Sequence, residues 1–119
     1  MLEKDLKLAV QEYLEYGQNQ EKWLYLRLNS GEAIVKRGER SYKMQLCPKG
    51  TADILVLASN GRYDTPNKLH CIPIFLELKS SKGKQTVDQM AFERNVIVQG
   101  CEYHIIRSVE QLEGVLRWY

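Results

Sequence analysis

Apolar residues recur at helical spacing over the first sixteen positions, then at strand spacing through the middle of the chain. Leu2, Leu6, Ala9, Val10 and Tyr13 fall on one stripe, with Lys4, Glu12 and Glu15 turned away. The spacing predicts a helix from about Leu2 to Tyr16, with Gly17 as its stop. A polar link, Gln18 to Lys22, leads into a strand over Trp23–Leu28, and Asn29-Ser30-Gly31 makes a turn. Ala33 to Leu46 has the form of a hairpin around Arg37-Gly38-Glu39-Arg40. In its second arm Tyr42, Met44 and Leu46 alternate with Lys43 and Gln45, which predicts one buried face and one wet face.

Two runs of branched apolar residues follow, Ile54–Leu57 and Ile72–Leu76, separated by a turn-rich surface loop over Ser59–Lys68 that lets them pair antiparallel. A basic link, Ser80 to Lys84, leads to a second helix over about Thr86–Gln99, closed by Gly100. Glu102–Ile106 reads as a half-buried strand, and Ser108 as the N-cap of a last helix carrying Leu112, Val115 and Leu116. The order is helix, three or more strands, helix, strand, helix. This predicts an α/β fold, a central mixed sheet flanked by helices in the order α-β-β-β-α-β-α, forming a single domain over residues 1–119.

The second helix is apolar on two sides. Val87, Met90, Ala91, Ile97 and Val98 share one face, while Phe92 and Val96 lie opposite, beside Gln89. Such a helix is either sandwiched in the fold or half of a subunit contact, and because a chain of 119 residues has little to sandwich it with, a homodimer is expected.

Composition narrows the class. An apolar fraction of 44% and a charged fraction of 27% are ordinary for a soluble globular protein. No window approaches the roughly 18 to 20 apolar residues of a membrane span. The start, Met1-Leu2-Glu3-Lys4-Asp5, lacks the basic region of a signal peptide. Cys47, Cys71 and Cys101 are odd in number and lack metal-ligand spacing, which predicts reduced thiols in a cytoplasmic protein, with Cys71 and Cys101 filling core volume. The net charge of +2 is small, but its distribution is uneven. From Arg27 to Lys49 six basic residues (Arg27, Lys36, Arg37, Arg40, Lys43, Lys49) face two acids (Glu32, Glu39), a local balance of +4. That stretch, with Lys82 and Lys84 of the basic link, is a candidate for gripping phosphates. A solvated hairpin tip is the plainer alternative.

The candidate chemistry sits where acids interrupt the two apolar runs. Asp53 precedes Ile54, and Glu77 follows Leu76. A carboxylate at the end of a buried strand costs several kcal/mol in desolvation unless something pairs with it, and a divalent cation is the most effective partner. Glu77 and Lys79 are two apart, so on a strand they share a face. If the two strands are neighbours, Asp53 meets them at one end of the sheet. The backbone carbonyl of Leu78 is a plausible third oxygen ligand.

Such a site holds Mg²⁺ or Mn²⁺, with a lysine free to orient a water molecule or offset the charge of a phosphoryl transition state. That is equipment for hydrolysing a phosphodiester. Alternatively, Glu77 and Lys79 are a surface ion pair on an edge strand. No Ser or Cys nucleophile with a partnered His is identifiable, and His70 and His104 have no ligand spacing. No Gly-rich loop followed by Lys-Ser or Lys-Thr marks a nucleotide cofactor. Glu3 lies on the flank of the first helix, either reaching the sheet end or complementing the helix dipole. Gln89 either supports the site or closes a capping box with Thr86.

The ordered set Gly50-Thr51-Ala52-Asp53, Glu77-Leu78-Lys79, Gly83 and Gln89 resembles the PD-(D/E)XK nuclease superfamily, in particular its VRR-NUC (virus-type replication-repair nuclease) domain. The similarity covers essentially the whole chain, including the first-helix acid and Arg27-Leu28-Asn29-Ser30-Gly31. Ala52 stands where the superfamily name has proline, a position that holds no chemistry. The resemblance implies a restriction-endonuclease-like core, with Asp53 and Glu77 as metal ligands, Lys79 as the catalytic lysine, Glu3 as the acid that completes the site and Gln89 as the glutamine beside it. Short stand-alone domains of this kind look like phage-encoded members that dimerise in the manner of archaeal Holliday junction resolvases. That implies a structure-specific endonuclease acting on branched DNA as a homodimer in the host cytoplasm. A nuclease acting on linear duplex or flap DNA, and a catalytically silent DNA-binding subunit, are the alternatives.

Overall fold

Leu6, Val10 and Leu14 recur every four residues on α1 (Glu3–Asn19), and all three are fully buried. They pack on one face of a four-stranded sheet, against Ile54, Val56, Ile74, Leu76 and Leu78, and α3 (Val109–Leu116) adds Leu112 and Leu116 to the same cluster. Each such leucine contributes about 2–5 kcal/mol, the usual cost of its truncation to alanine. The computed structural model describes residues 2–59 and 70–119, and the turn-rich segment expected between the two acidic strands falls, from position 60 to 69, outside them.

The sheet is mixed, in the order β1 (Trp23–Arg27), β4 (Ile54–Ser59), β5 (Cys71–Leu78), β6 (Glu102–Ile106). β4 runs antiparallel to β1 and β5, whereas β6 is parallel to β5. A parallel pair needs a crossover. Here it is α2 (Val87–Val98), which covers the second face of the sheet by packing Phe92 and Val96 on Phe75, Tyr103 and Ile105. The chain is therefore an α/β structure with helices on both faces. With the hairpin set aside, its elements follow as helix, three strands, helix, strand, helix.

Several details differ from the sequence expectation. Gly17 does not stop α1, which continues to Asn19. It is buried beneath the Trp23 indole, where a Cβ would lie 2.0 Å from Cζ2, so the glycine is there for close approach. Leu2, expected in the stripe, is 70% exposed, because the helix turns Leu6, Val10 and Leu14 to the sheet. The hairpin forms, as β2 (Glu32–Arg37) and β3 (Arg40–Gln45), but as a separate two-stranded ribbon. Ala33, Val35, Tyr42 and Met44 share its apolar face by register, yet β3 has no buried face, since among the described residues no other element packs across the ribbon. Its base is tied down by Gly31 and Cys47 N–H groups donating to Cys47 and Asn29 carbonyls, both at 2.9 Å. Cys71 does not fill core volume either, being exposed at the start of β5, while Cys47 and Cys101 are half-buried, and all three thiols are free. No helix among the described residues is long and apolar enough to cross a membrane.

The Gly17–Trp23 contact is testable. Gly17→Ala raises helix propensity by about 1 kcal/mol, but overpacking against the indole costs more, about 1–3 kcal/mol. Urea denaturation followed by tryptophan fluorescence is expected to show net destabilisation; a variant as stable as the parent would show that the ring moves aside freely.

Candidate functional site

The antiparallel register sets Ile54 opposite Leu76, so one position further Asp53 faces Glu77 across the strand pair. Asp53 is tightly tied into the end of the sheet. Its N–H donates to the Leu76 carbonyl at 3.1 Å and its carbonyl accepts from Leu28 N–H at 2.8 Å. Its side-chain Oδ2 accepts from Leu78 N–H at 2.7 Å. Alternation along β5 turns Leu76 and Leu78 into the main core, and turns Glu77 with Phe75 to the side covered by α2. Glu77 is 2% exposed, the one charged side chain among the buried described residues.

Burial and the neighbouring acid both act on Glu77. Desolvation, followed by hydrogen bonding and charge repulsion from Asp53, pushes its pKa from the ordinary 4.5 up to about 8; Lys79 pulls the other way and Glu3 adds to the rise. Glu77 Oε2 accepts from Gln89 Nε2 at 3.3 Å, while Oε1 is buried with no hydrogen-bond partner. With both carboxyls ionised, Oε1 has no donor to meet. A proton shared with Asp53 satisfies it, and so does a cation held between the two groups. The donors fit a hard divalent ion: two carboxylates and the Leu78 carbonyl, which leaves an extended strand on the same side as the N–H bonded to Asp53.

The structure brings Asp53, Glu77, Leu78, Lys79 and Gln89 together. Lys79, half-buried just past β5, is held by its N–H bond to the Ile106 carbonyl at 3.0 Å. Gln89 fills both roles left open by its sequence. Its Oε1 accepts from Thr86 N–H at 2.9 Å in a capping box, and its Nε2 reaches Glu77. Glu3 is less closely engaged. It is exposed in the first turn of α1 and acts on Glu77 through charge, and among the described residues no three His, Cys, Asp or Glu side chains gather as a metal cluster.

The basic candidates are more dispersed. Lys36, Arg37, Arg40 and Lys43 are exposed on the ribbon, with Lys43 3.8 Å from Glu32. Lys49 lies 3.7 Å from Asp88 at the start of α2, where Gly50, at φ +93°, lets the backbone approach closer than any Cβ would allow. Lys82 and Lys84 are exposed in the link before α2. Arg27 lines a polar cleft beside Asp53.

Sequence reasoning missed four contributors. Arg107 Nη1 donates to the carbonyls of Ser80 and Gly83 at 2.6 and 2.8 Å, clamping the basic link before α2 and fixing the chain just beyond Lys79. Tyr103, whose hydroxyl is 3.2 Å from Gln85 Nε2, has a pKa pushed up to about 12 by burial, with Glu77 among the charges that raise it. Lys7 and Gln11 of α1 line the cleft. A strand-end arginine and surface helix positions carry no local signal of such contacts. His104, by contrast, is paired with Glu102 at 2.9 Å, and His70 is exposed outside the strands. No protein-family model matches the chain, and no curated protein matches it significantly.

The Glu77 shift has a definite sign in a melting experiment. Its folded pKa lies above its unfolded one, so its stabilising contribution is complete below about 4.5 and is lost as pH rises through about 8. With divalent ions chelated, Tm is expected to fall between about pH 5 and pH 9, by roughly 4 °C for each kcal/mol lost. The neutral, same-shaped Glu77→Gln should flatten that slope; an unchanged slope would show that another group titrates.

Proposed function

We propose that the chain is a VRR-NUC-type nuclease of the PD-(D/E)XK superfamily, hydrolysing phosphodiester bonds in DNA with Mg²⁺ or Mn²⁺. The observation that carries this reading is Glu77, a buried acid opposite a second acid, with one oxygen unpartnered and a lysine two residues on. A structural ion pair needs one acid and one base. Two acids and a base at the end of a sheet suit a cation and an anionic substrate together. The loop clamped by Arg107 and the capping box of α2 support the same reading, since both hold the polar groups in place before substrate arrives.

Asp53, Glu77 and the Leu78 carbonyl would hold the ion, which when bound supplies charge neutralisation and a more acidic water. Lys79 would orient the attacking water and offset the negative charge that builds on the phosphoryl group. Gln89 keeps Glu77 in its rotamer by donating to Oε2, leaving Oε1 for the ion. The exposed ribbon, with Lys36, Arg37, Arg40 and Lys43, extends the basic surface for the DNA backbone.

A homodimer accounts for the apolar surface that the single chain leaves bare. Val87, Met90, Ile97 and Val98 line the outer side of α2, the first of them 77% exposed. Beside α2, Leu24 and Leu26 of β1 pair with Leu57 and Leu55 of β4, and no helix covers that part of the sheet among the described residues. A two-fold contact burying both areas would set two acid pairs on one particle, which suits cutting two strands of a four-way junction.

The test is incubation of four-way junction, flap and linear duplex DNA with the purified protein in Mg²⁺, Mn²⁺ or EDTA. Cutting is expected in either metal and not in EDTA, strongest on the junction. Lys79→Ala should bind DNA normally and cut about 100-fold more slowly. Undiminished cutting by that variant would overturn the assigned site, and no cutting of any DNA by the parent would overturn the nuclease reading. Calorimetry should show Asp53→Asn binding Mn²⁺ at least about tenfold more weakly, with no loss of Tm because a repulsive charge has gone; unchanged affinity would exclude Asp53 as a ligand.

A further inference from the structure

A polar cleft of about 330 Å³ opens beside Asp53, on the side of the sheet covered by α1. One wall is α1 itself. Lys7 and Gln11 follow Glu3 at successive four-residue steps, which places the three on one flank of the helix. The facing wall is the end of β1 and the turn after it, from Arg27 to Ser30, and Asp53 forms part of the floor. The cleft therefore begins at Asp53 and runs away from it between Lys7 and Arg27.

The Asp53 carboxylate is the one acid lining the cleft, and neither cation lies within ion-pair distance of it. Among the described residues Lys43, Lys49 and His104 sit in ion pairs, and neither Lys7 nor Arg27 does. Two like charges facing each other across a cleft repel, and an anion between them turns both interactions favourable. The fold does not require them there: the buried residues of α1 are Leu6, Val10, Leu14 and Gly17, and those of β1 reduce to Trp23. Gln11, Asn29 and Ser30 add neutral donors and acceptors without adding a negative charge. The volume is at the small end of ligand sites and the lining is polar, which suits one charged unit of an extended strand better than an apolar small molecule.

We propose that this cleft is a nucleotide subsite, in which Lys7 and Arg27 grip the backbone phosphate adjoining the one attacked at Asp53 and Glu77. Gln11 and Asn29 hydrogen-bond the sugar of the same unit. The placement next to the attacked bond rests on the nuclease reading, whereas the affinity for a nucleic-acid strand does not. Lys7 and Arg27 are positioning residues. They contact a phosphate that does not react, so they set where the strand lies and carry no sequence preference.

The experiment is anisotropy of a labelled four-way junction in EDTA at several salt concentrations, for the parent, Lys7→Ala, Arg27→Ala, the double variant and Lys22→Ala, a control in the turn beyond the far end of α1. Each single substitution in the cleft is expected to weaken binding about fivefold and to lower the salt slope by about 1, and the double to do more. Lys22→Ala should bind like the parent, and Mn²⁺ binding by calorimetry should be unchanged in all. Parent-like binding by Lys7→Ala and Arg27→Ala, or an equal loss in Lys22→Ala, would overturn the subsite. Because binding in EDTA needs no metal, the two readings fail separately: intact cutting with no effect of Lys7 or Arg27 removes the subsite alone, while their expected effect in a protein that cuts nothing keeps a strand-binding cleft and removes the nuclease.

Discussion

The fold is arranged around a repulsion. Two unit charges about 4 Å apart interact with about 4 kcal/mol at the effective dielectric of a protein surface, and more as water is excluded. A whole domain is stable by only about 5–15 kcal/mol, so an ionised Asp53 opposite an ionised Glu77 would be a large fraction of the total. The register that opposes them is not adjustable, because shifting β5 by one residue would turn Ile74, Leu76 and Leu78 out of the core. Hydrophobic pairing of β4 with β5 thus holds the two acids together against their charge. A proton or a cation has to relieve what remains.

Other parts of the structure follow from keeping that pair in place. Gln89 is bonded at once to its own helix start and to Glu77, so α2 cannot slide without giving up either its cap or the acid. The segment leading to Asp53 is packed on the same helix end. Gly50 lies against the Asp88 backbone at a distance no side chain could tolerate, and Lys49 pairs with the Asp88 carboxylate. Behind Lys79, Arg107 reaches back from the end of β6 to hold the Ser80 and Gly83 carbonyls. The hydrogen bonds among these are modest, about 0.5–1.5 kcal/mol between neutral groups and up to about 3 where a charged group takes part, the exposed Lys49–Asp88 pair adds less, and all converge on a few residues at one end of the sheet.

What could be seen in advance depended on how local each signal was. The stripe of α1, the two acidic strands, the Thr86 cap and the final strand and helix are written in residues a few positions apart, and they appear where periodicity and capping chemistry put them. The meeting of Asp53 with Glu77 was also legible, because a two-residue strand period and an antiparallel return leave little freedom. Non-local contacts were not. Gly17 has the look of a helix stop until Trp23 is seen stacked on it. The alternation of Tyr42 and Met44 is that of a half-buried strand, yet nothing in the pattern says whether another layer exists to bury it. Gln89 could not be resolved between two roles because its two side-chain atoms serve one each.

The position at a strand end explains how so many polar groups can meet without crossing the core. Within a sheet, the two faces are separated by the backbone and by alternating apolar side chains, so a residue from α1 and a residue from α2 have no common ground. Past the last ladder bonds the separation ends. Asp53 and Lys79 each lie one residue beyond a strand and Leu28 one beyond β1. Glu77 and Gln89 come from the α2 side, Lys7 and Gln11 from the α1 side, and Asp53 belongs to both surroundings. Under the proposed nuclease reading, a DNA strand lying over this end would touch groups from both layers while the apolar clusters behind it stay closed. Breaking the core to achieve the same convergence would cost several leucines at about 2–5 kcal/mol each, more than a domain of this size has to lose.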